Sequence, residues 1–219
     1  MESYKAIIAL NGESHGSKED YLSFLSSKDH LFIGADGGTK LFSKLNIKPD
    51  LIIGDLDSLN NQEIQQYINK GVEILEYPVE KDETDAELAI NYCYENNIKN
   101  ISFIGGLGGR IDQNLANVFL LEYALQKNIK ATFREPNLMV GLIGAKRYFK
   151  NWKNARLSLL PLDQEVTNVV IKGCKYNLSG KNLYRYHTLG ISNLIMSNEA
   201  IVQKSSGKLL FVLEKTKEE

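Results

Sequence analysis

The chain has 219 residues, of which 43% are hydrophobic and 24% charged, and its formal net charge is −1. Such a length and composition suit a globular protein with one large domain or two small ones. The nearly neutral charge argues against broad electrostatic binding of nucleic acid or of an acidic membrane surface. The sequence has no signal-like start or long apolar run, and Cys93 and Cys174 do not have zinc-ligand spacing. We therefore expect a cytoplasmic protein that binds neither nucleic acid nor membranes.

Over the first part of the chain, short apolar runs alternate with amphipathic stretches. This alternation predicts βα units around a mostly parallel, Rossmann-like sheet that is flanked by helices. The predicted strands are 6–10, 31–35, 51–54, 72–77, 101–105 and 131–135. One helix is predicted over 84–97, where Thr84 is suited to the N-cap and Glu87 to a capping box. A second helix is predicted over 112–127, with Asp112 in its first turn.

The pattern changes after about Ala145. Short β-prone runs then follow one another, separated by Gly, Ser and Asn, and no stretch has helical periodicity. This pattern predicts a small antiparallel β-sandwich or barrel. We therefore predict two domains, an α/β domain over residues 1–143 and a β domain over residues 144–219.

Six aspartates share one position relative to the predicted strands, because each follows the carboxyl end of a strand. They are Asp36, Asp55, Asp57, Asp82, Asp85 and Asp112. In an open parallel sheet these ends form one rim, and ligands bind in the crevice outside it. Carboxylates at close range repel each other unless a cation or a shared proton lies between them. Since Mg²⁺ is usually held by carboxylates together with substrate phosphates, the pattern favours a magnesium ion that carries a polyphosphate.

The stretch IIGDLDSL, residues 52–59, places two of these aspartates one residue apart. Alone, such a pair is typical of a polar turn. If strand geometry persists past Gly54, however, Asp55 and Asp57 point to the same face of the sheet and converge. The pair is therefore interpreted as part of the cation site only because other acidic groups are expected on the same rim.

Two further features suit phosphate binding. The helix predicted to begin after Thr84 offers free N–H groups at its N-terminus. In GGLGGR, residues 105–110, the glycines allow the backbone to approach a ligand closely, and Arg110 supplies a forked donor. The commoner motifs are missing from the sequence, since there is no Walker-type phosphate loop and no nucleophile elbow. A dinucleotide fingerprint fails because Ile111 stands at its third glycine.

The order and spacing of four motifs resemble the thiamine pyrophosphokinase family. The motifs are GADGG, KPDLIIGDLDSL, KDETDAELAI and GGLGGRIDQNLAN. The later stretch SLLPL…GISN resembles the second domain of that family. One position departs from the pattern of many bacterial relatives, in which His follows RID, whereas Gln113 stands here.

The resemblance implies transfer of a diphosphoryl group from ATP to the hydroxyethyl group of thiamine, giving thiamine diphosphate and AMP. It implies an ATP-binding α/β domain, a thiamine-binding β-sandwich, dependence on Mg²⁺, and a homodimer with active sites between subunits. The residues that resemble the magnesium and catalytic site are Asp55, Asp57, Asp82 and Asp85, together with Arg110. Those that resemble nucleotide contacts are Asp36, Gly37, Gly38, Thr84, Arg110, Asp112 and Gln113. Ser192 and Asn193 resemble the thiamine-side motif.

Two other functions remain open at this point. In an aspartyl-phosphate phosphohydrolase, Asp55 would be the nucleophile and Asp57 the acid or base. That interpretation leaves GADGG and GGRIDQ unexplained, and the motif follows the third strand rather than the first. A non-catalytic nucleotide or thiamine sensor would keep the glycines but has less need of so many acidic residues.

Overall fold

The computed structural model of the chain describes residues 5–25 and 30–215. It divides the chain into two compact units, Met1–Pro136 and Asn137–Glu219. The predicted boundary after residue 143 lies at the C-terminal end of the strand Leu138–Ile143, which pairs with the strand Leu209–Lys215 of the second unit. The assignment of ATP to one domain and of thiamine to the other stays a prediction.

The first unit contains a parallel sheet. Its strands are β1 Lys5–Ala9, β2 His30–Ala35, β3 Leu51–Gly54, β4 Glu73–Glu76, β5 Asn100–Ile104 and β6 Lys130–Glu135. They lie in the order β6-β5-β1-β2-β3-β4, and the five neighbouring pairs are all parallel. The direction of winding reverses between β1 and β5, so the crevice at a topological switch point lies beyond the carboxyl ends of these two strands.

Among the described residues of this unit, five helices connect the strands. They are α1 Lys18–Leu25, α2 Thr39–Leu45, α3 Asn61–Asn69, α4 Asp85–Glu95 and α5 Ile111–Gln126. The two predicted helices are confirmed as α4 and α5. Thr84 is the N-cap of α4 and forms the predicted capping box, in which its backbone N–H donates to Glu87 Oε2 at 2.8 Å. Its hydroxyl oxygen in turn accepts from the Glu87 N–H at 3.3 Å.

The core of the first unit lies on both faces of its sheet, as expected for strands covered by helices on both sides. Ile8, Ile33 and Ile52 are completely buried on three neighbouring strands. Phe103 of β5 stacks on Phe133 of β6 with ring centroids 4.9 Å apart. Burial of these side chains fixes the strands in register, and the polar loops at their carboxyl ends are positioned as a result.

The second unit is antiparallel. Its strands are β7 Leu138–Ile143, β8 Lys146–Lys150, β9 Ala155–Pro161, β10 Glu165–Lys172, β11 Leu178–Tyr184, β12 Asn193–Leu194, β13 Glu199–Gln203 and β14 Leu209–Lys215. One set runs β12-β9-β14-β7 and the other β11-β10-β13-β8. Alternate residues of both sets, among them Leu157, Val202 and Phe211, enclose one apolar core. The predicted fold class, a parallel α/β unit followed by an antiparallel β-sandwich, is confirmed.

Among residues 5–25 and 30–215, no helix has the length and apolar character needed to cross a bilayer.

Candidate active site

Three carboxylates converge at the carboxyl ends of β2 and β3. Asp36, Asp55 and Asp57 each offer a carboxylate oxygen, and these oxygens all lie within 4.8 Å of one another. We call these three residues the acidic cluster. Asp36 is buried, Asp55 is half-buried and Asp57 is exposed, so the cluster extends from the protein interior to solvent. The convergence of Asp55 and Asp57 agrees with the sequence-based expectation.

The convergence arises from a turn, however, and not from continued strand geometry. Strand β3 ends at Gly54, and Leu56 adopts a left-handed conformation with φ of 61°. Its buried side chain is held by an apolar cluster that includes Leu59, which keeps the turn in place. The backbone N–H of Asp57 then donates to Asp55 Oδ1 at 3.3 Å. Packing of Leu56 therefore brings the two carboxylates together.

Gly54 is required at the end of β3 for two reasons. Its φ of 146° favours glycine. A Cβ atom built there would lie 3.0 Å from Asp36 Cβ and 3.0 Å from Asp85 Oδ1. The missing side chain therefore lets both Asp36 and Asp85 lie close to the end of β3.

Asp36 begins a 3₁₀ turn, Asp36–Gly38, directly after β2. Its Oδ2 accepts a hydrogen bond from Ser58 Oγ at 2.6 Å, which ties the turn to the loop after β3. Gly38 packs against β1 so closely that a Cβ atom would lie 2.0 Å from the carbonyl oxygen of Ala9. GADGG is thus placed by close backbone packing, and Asp36 joins the acidic cluster although the sequence suggested a nucleotide contact for it.

Asp85 lies beside this cluster, at the first position of α4. Burial is the largest cause that raises the pKa of Asp85, and the charges of Asp55 and Asp36 raise it further. Lys81 opposes this shift, with its Nζ atom 3.0 Å from Asp85 Oδ1. This Oδ1 atom is buried, and no group in the described part of the chain donates a hydrogen bond of good geometry to it. A cation bound nearby would compensate the remaining charge.

Asp82 differs from the other predicted metal ligands. It lies exposed in the loop between β4 and α4 and is outside the group of converging carboxylates found in the described residues. A role for Asp82 in metal binding stays a prediction.

A cleft of about 690 Å³ opens beside the acidic cluster, in the first unit. It lies beyond β1 and β5, at the switch point of the sheet, and is bounded by α4 and α5. Four residues predicted from the sequence line it: Asp36, Thr84, Asp85 and Gln113. The free N–H groups at the start of α4 also face this region, which makes it suitable for an anionic ligand.

Residues 105–110, which we call the glycine loop, form one wall of the cleft. Gly106 and Gly108 line it directly. The side chain of Asn114 accepts a hydrogen bond from the Gly108 N–H at 2.9 Å, and Asn117 Nδ2 donates to the Gly106 carbonyl at 2.6 Å. The loop is thereby fixed to the first turns of α5.

Arg110 and Asp112 form an ion pair at the outer end of this loop. Arg110 Nη2 lies 2.6 Å from Asp112 Oδ2, and Nε lies 3.1 Å from Oδ1, so the contact is bidentate. The hydrogen bond from Arg110 holds the pKa of the Asp112 carboxyl below its usual value. Both side chains are exposed, and neither lines the cleft. Arg110 must therefore leave or share Asp112 before it can contact a phosphate.

Several cleft residues were missed by the sequence analysis. They are Asn11 and Gly12 after β1, and Asn114, Asn117 and Tyr123 on α5. A signal existed for the first two, because they follow the carboxyl end of a predicted strand just as the aspartates do. The two asparagines of α5 stand three residues apart, a spacing that places them on one helix face. Their partners in the glycine loop could not be inferred from that spacing.

The predicted thiamine-side residues lie in the second unit. Asn193 is buried, and its side chain clamps the backbone of Tyr176, accepting from the N–H at 3.0 Å and donating to the carbonyl at 2.7 Å. Ser192 has a left-handed φ of 56°, and its N–H donates to Ser158 Oγ at 3.0 Å. A pocket of about 180 Å³ adjoins them and is lined by Tyr176 and Asn193. Asn193 thus shapes this pocket while its amide is engaged by the backbone.

The fold and the site together define a class of protein: an α/β domain with a carboxylate cluster and a cleft at the carboxyl ends of its strands, followed by a β-sandwich. Two family models match the chain. “Thiamin pyrophosphokinase, catalytic domain” matches residues 22–133, and “Thiamin pyrophosphokinase, vitamin B1 binding domain” matches residues 146–209. These matches span most of the sequence, and the chain belongs to the thiamine pyrophosphokinase family.

Individual relatives agree with this result. Thiamine pyrophosphokinase from Bacillus subtilis is 28% identical over 184 residues, which are 83% of this chain and 86% of the relative. A crystal structure of thiamine pyrophosphokinase from Bacillus subtilis superposes with a TM-score of 0.82 at 24% identity, covering 97% of this chain and 99% of that one. Thiamin pyrophosphokinase from Candida albicans gives a TM-score of 0.79 at 18% identity, over 98% and 90% of the two chains. At these identities the two structures establish a shared fold.

Proposed function

We propose that this chain transfers the diphosphoryl group of ATP to the hydroxyethyl group of thiamine, giving thiamine diphosphate and AMP. The observation that carries the proposal is the match of both family domains, in order, along one chain. The acidic cluster beside the cleft supplies an independent physical argument, because a Mg²⁺ ion that carries a polyphosphate is usually held by carboxylates.

The proposed cofactor is Mg²⁺, and the donor set fits it. Asp36, Asp55 and Asp57 offer hard carboxylate oxygens within 4.8 Å of one another. The buried Oδ1 of Asp85, which the Lys81 Nζ atom contacts at 3.0 Å, lies at the edge of the cluster. We assign the three clustered aspartates as ligands, with Asp85 flanking them and Asp82 as a further predicted ligand. When bound, the ion neutralises charge on the phosphate oxygens of ATP.

The cleft is proposed to hold ATP. Its volume suits a ligand of nucleotide size. The start of α4 offers backbone N–H groups for phosphate oxygens, and the glycine loop allows a ligand to approach its backbone closely. Gly37, Gly38, Thr84, Asp112 and Gln113 remain proposed nucleotide contacts, although the hydroxyl of Thr84 is also engaged in the capping box of α4.

Arg110 is proposed to neutralise charge that develops on the transferred group. Its guanidinium offers parallel donors, which match phosphate as well as they match the carboxylate of Asp112. Pairing with Asp112 holds the exposed side chain at the outer end of the glycine loop. Replacement of the Asp112 carboxylate by a phosphate as the partner of Arg110 would then cost little free energy, because the guanidinium binds either group in a bidentate way. Transfer of this kind relies chiefly on positioning and charge neutralisation.

Thiamine binding is proposed for the second unit, with Ser192 and Asn193 at the site. The homodimer is also a proposal. It is supported by Ile111, Leu115 and Phe119, which recur every fourth residue of α5 and are all more than half exposed. A cytoplasmic location is proposed as well, and it is consistent with Cys93 and Cys174, which are both free thiols.

Incubation with ATP, Mg²⁺ and thiamine, followed by chromatography of the products, tests the reaction. We expect AMP and thiamine diphosphate in equal amounts. Inorganic phosphate without AMP would instead indicate a phosphohydrolase. Tight binding of either ligand without turnover would indicate a sensor.

A further inference from the structure

Glu135, the last residue of β6, is a buried carboxylate that the proposed reaction does not use. It is only 2% exposed, and Asp36 is the other carboxylate that is buried in the described part of the chain. Burial of an ionisable group costs free energy, and an apolar side chain of similar size often gives a more stable protein. A buried carboxylate at this position therefore depends on hydrogen-bond partners that compensate for its burial.

Both oxygens of Glu135 are engaged. Oε1 accepts a hydrogen bond from the backbone N–H of Gly105 at 2.7 Å, at the start of the glycine loop. Oε2 accepts a short hydrogen bond from the hydroxyl of Tyr21, which is buried on α1. Burial and the contact with Glu135 raise the pKa of Tyr21, so the hydroxyl keeps its proton and donates it to the carboxylate.

Further hydrogen bonds lead from Tyr21 back to the glycine loop, and together with Glu135 they close a ring of hydrogen-bonded groups, which we call the hydrogen-bond ring. The hydroxyl of Tyr21 accepts from the backbone N–H of His15 at 3.2 Å. The ring nitrogen Nε2 of His15 lies 2.6 Å from the carbonyl oxygen of Leu107, in the glycine loop. Glu135 thus contacts the loop directly at Gly105 and indirectly, through Tyr21 and His15, at Leu107.

The same ring fixes the loop that follows β1. The carbonyl of Gly105 accepts from the N–H of Gly12 at 2.6 Å, so Gly105 is held by Glu135 on one side and by Gly12 on the other. Gly12 and Gly106 both line the cleft. Since glycines have no side chains with which to fix their own position, the geometry of this wall depends on groups outside the loop.

We propose that Glu135 is a positioning residue for nucleotide binding: through Gly105, Tyr21 and His15 it holds the glycine loop and the loop after β1 at the spacing that the phosphates of a nucleoside triphosphate require. The proposal rests on the proposed function only in its choice of ligand. Glu135 does not touch the substrate in this role. It acts by restricting the loop before binding, so that less ordering free energy is lost when the nucleotide enters.

Binding of a non-hydrolysable ATP analogue with Mg²⁺, measured by calorimetry on the full chain, tests the proposal without relying on turnover. Glu135→Leu removes both acceptors, and we expect its dissociation constant to rise about 10-fold or more, since hydrogen bonds to charged groups are lost. Glu135→Gln keeps an acceptor oxygen for Gly105, so it should weaken binding by less than about 3-fold. Tyr21→Phe breaks the indirect connection alone and should fall between the two.

Leu25→Ala is the matched control, because Leu25 packs in the same apolar cluster as Tyr21 and lies on the same helix but makes no polar contact with the ring. It should lower the melting temperature and leave the dissociation constant unchanged. Steady-state kinetics then add a second readout, in which the Glu135 variants raise the KM for ATP but not the KM for thiamine.

The proposal is overturned if Glu135→Leu binds the analogue as the wild type does, or if Leu25→Ala weakens binding equally. If Glu135→Leu does not fold, the affinity of Tyr21→Phe is the deciding measurement. Wild-type affinity in that variant would contradict a positioning role for the hydrogen-bond ring. A wild type that binds the analogue but forms no AMP would refute the proposed function and leave this inference to be judged by affinity. A wild type that binds no nucleotide would refute both.

Discussion

The acidic cluster and the glycine loop lie at the carboxyl ends of strands in one sheet, but their charges and hydrogen bonds are balanced in different ways. In the acidic cluster, three carboxylates lie within 4.8 Å of one another, with Lys81 contacting only the flanking Asp85. In the glycine loop, Glu135, Asn114, Asn117 and His15 engage the backbone from several directions. The first region needs a cation from outside, whereas the second is already organised by the protein. We therefore expect a bound metal ion to change the stability of the acidic cluster most. We expect mutations of the side chains that hydrogen-bond the glycine loop to change the conformation of that loop.

The largest expected effect is on turnover in the acidic cluster. Asp55→Asn and Asp57→Asn each remove a charge with little change in size, and each should lower kcat by about 10²-fold or more, because the cation is bound less well. Glu95→Gln, an exposed carboxylate at the end of α4, is the control and should keep full activity. Near-normal rates for both aspartate variants at saturating Mg²⁺ would contradict the assignment.

A pH series tests the second region. Burial raises the pKa of Glu135 above its usual value of 4.5, although its hydrogen bonds to Tyr21 and Gly105 and the charge of His15 oppose this shift. Relative to the unfolded chain, the folded protein therefore favours the protonated form of Glu135. This contribution to stability is fully present below pH 4.5 and is lost as pH rises through the higher folded-state pKa. Glu135→Gln does not titrate, so its stability relative to wild type should increase over that window by up to about 1.4 kcal/mol per pH unit.

Urea unfolding of both proteins at a series of pH values would measure this difference. A relative stability that stays constant, or that decreases as pH rises, would mean that Glu135 is not held in an environment that disfavours its charge. Hydrogen bonds changed by the substitution affect the two proteins at every pH, so the slope and not the offset is diagnostic.

Removal of a side-chain charge should also stabilise the acidic cluster when no cation is bound. In the absence of divalent cations, Asp57→Asn relieves repulsion and should raise the free energy of unfolding by up to about 1 kcal/mol, a value typical of charges near solvent. Added Mg²⁺ should stabilise the wild type more than the variant. A ligand stabilises the folded state more when it binds that state more tightly, and the variant has lost one of the proposed Mg²⁺ ligands. Thermal melting with and without a chelator measures both effects, and equal stabilisation by Mg²⁺ would argue against Asp57 as a ligand.

The smallest expected effect concerns the exposed pair at the end of the glycine loop. Arg110 lowers the pKa of Asp112, so Arg110→Gln should return that pKa toward the usual value of 3.8. A carboxyl group whose pKa is lowered on folding stabilises the folded state at pH values above its ordinary pKa. This stabilisation is lost as the pH falls through the lowered pKa, so any gain in stability from the ion pair disappears in acid. Titration of the Asp112 carboxyl by NMR measures the shift, and an unchanged pKa would show that Arg110 does not hold Asp112 in solution.

Some of the site could be predicted because local sequence determines it. The capping box of Thr84 and Glu87 needs only residues three positions apart, and the positions of the aspartates after strands follow from hydrophobic periodicity. The sequence predicted that Asp55 and Asp57 converge, but it could not tell that Asp36 joins them and that Asp82 does not. That depends on the left-handed turn at Leu56, which is held by tertiary packing, and on the 3₁₀ turn that directs Asp36 toward Asp55.

Long-range polar contacts were also beyond the sequence. Glu135 lies 30 residues from Gly105 and 114 from Tyr21, and neither separation has a periodic signature. On the sequence alone, ATFRE predicts a strand, and its final glutamate resembles any exposed strand end. Only the folded sheet reveals that this end is buried beneath the glycine loop.

Diphosphoryl transfer that depends on Mg²⁺ can be followed directly with ATP labelled at its β-phosphate, incubated with thiamine and the full chain in the presence of Mg²⁺ or of a chelator. We expect the label to move to thiamine diphosphate with Mg²⁺ and to stay in ATP without a divalent cation. Label recovered as inorganic phosphate or ADP, or transfer that survives the chelator, would contradict it.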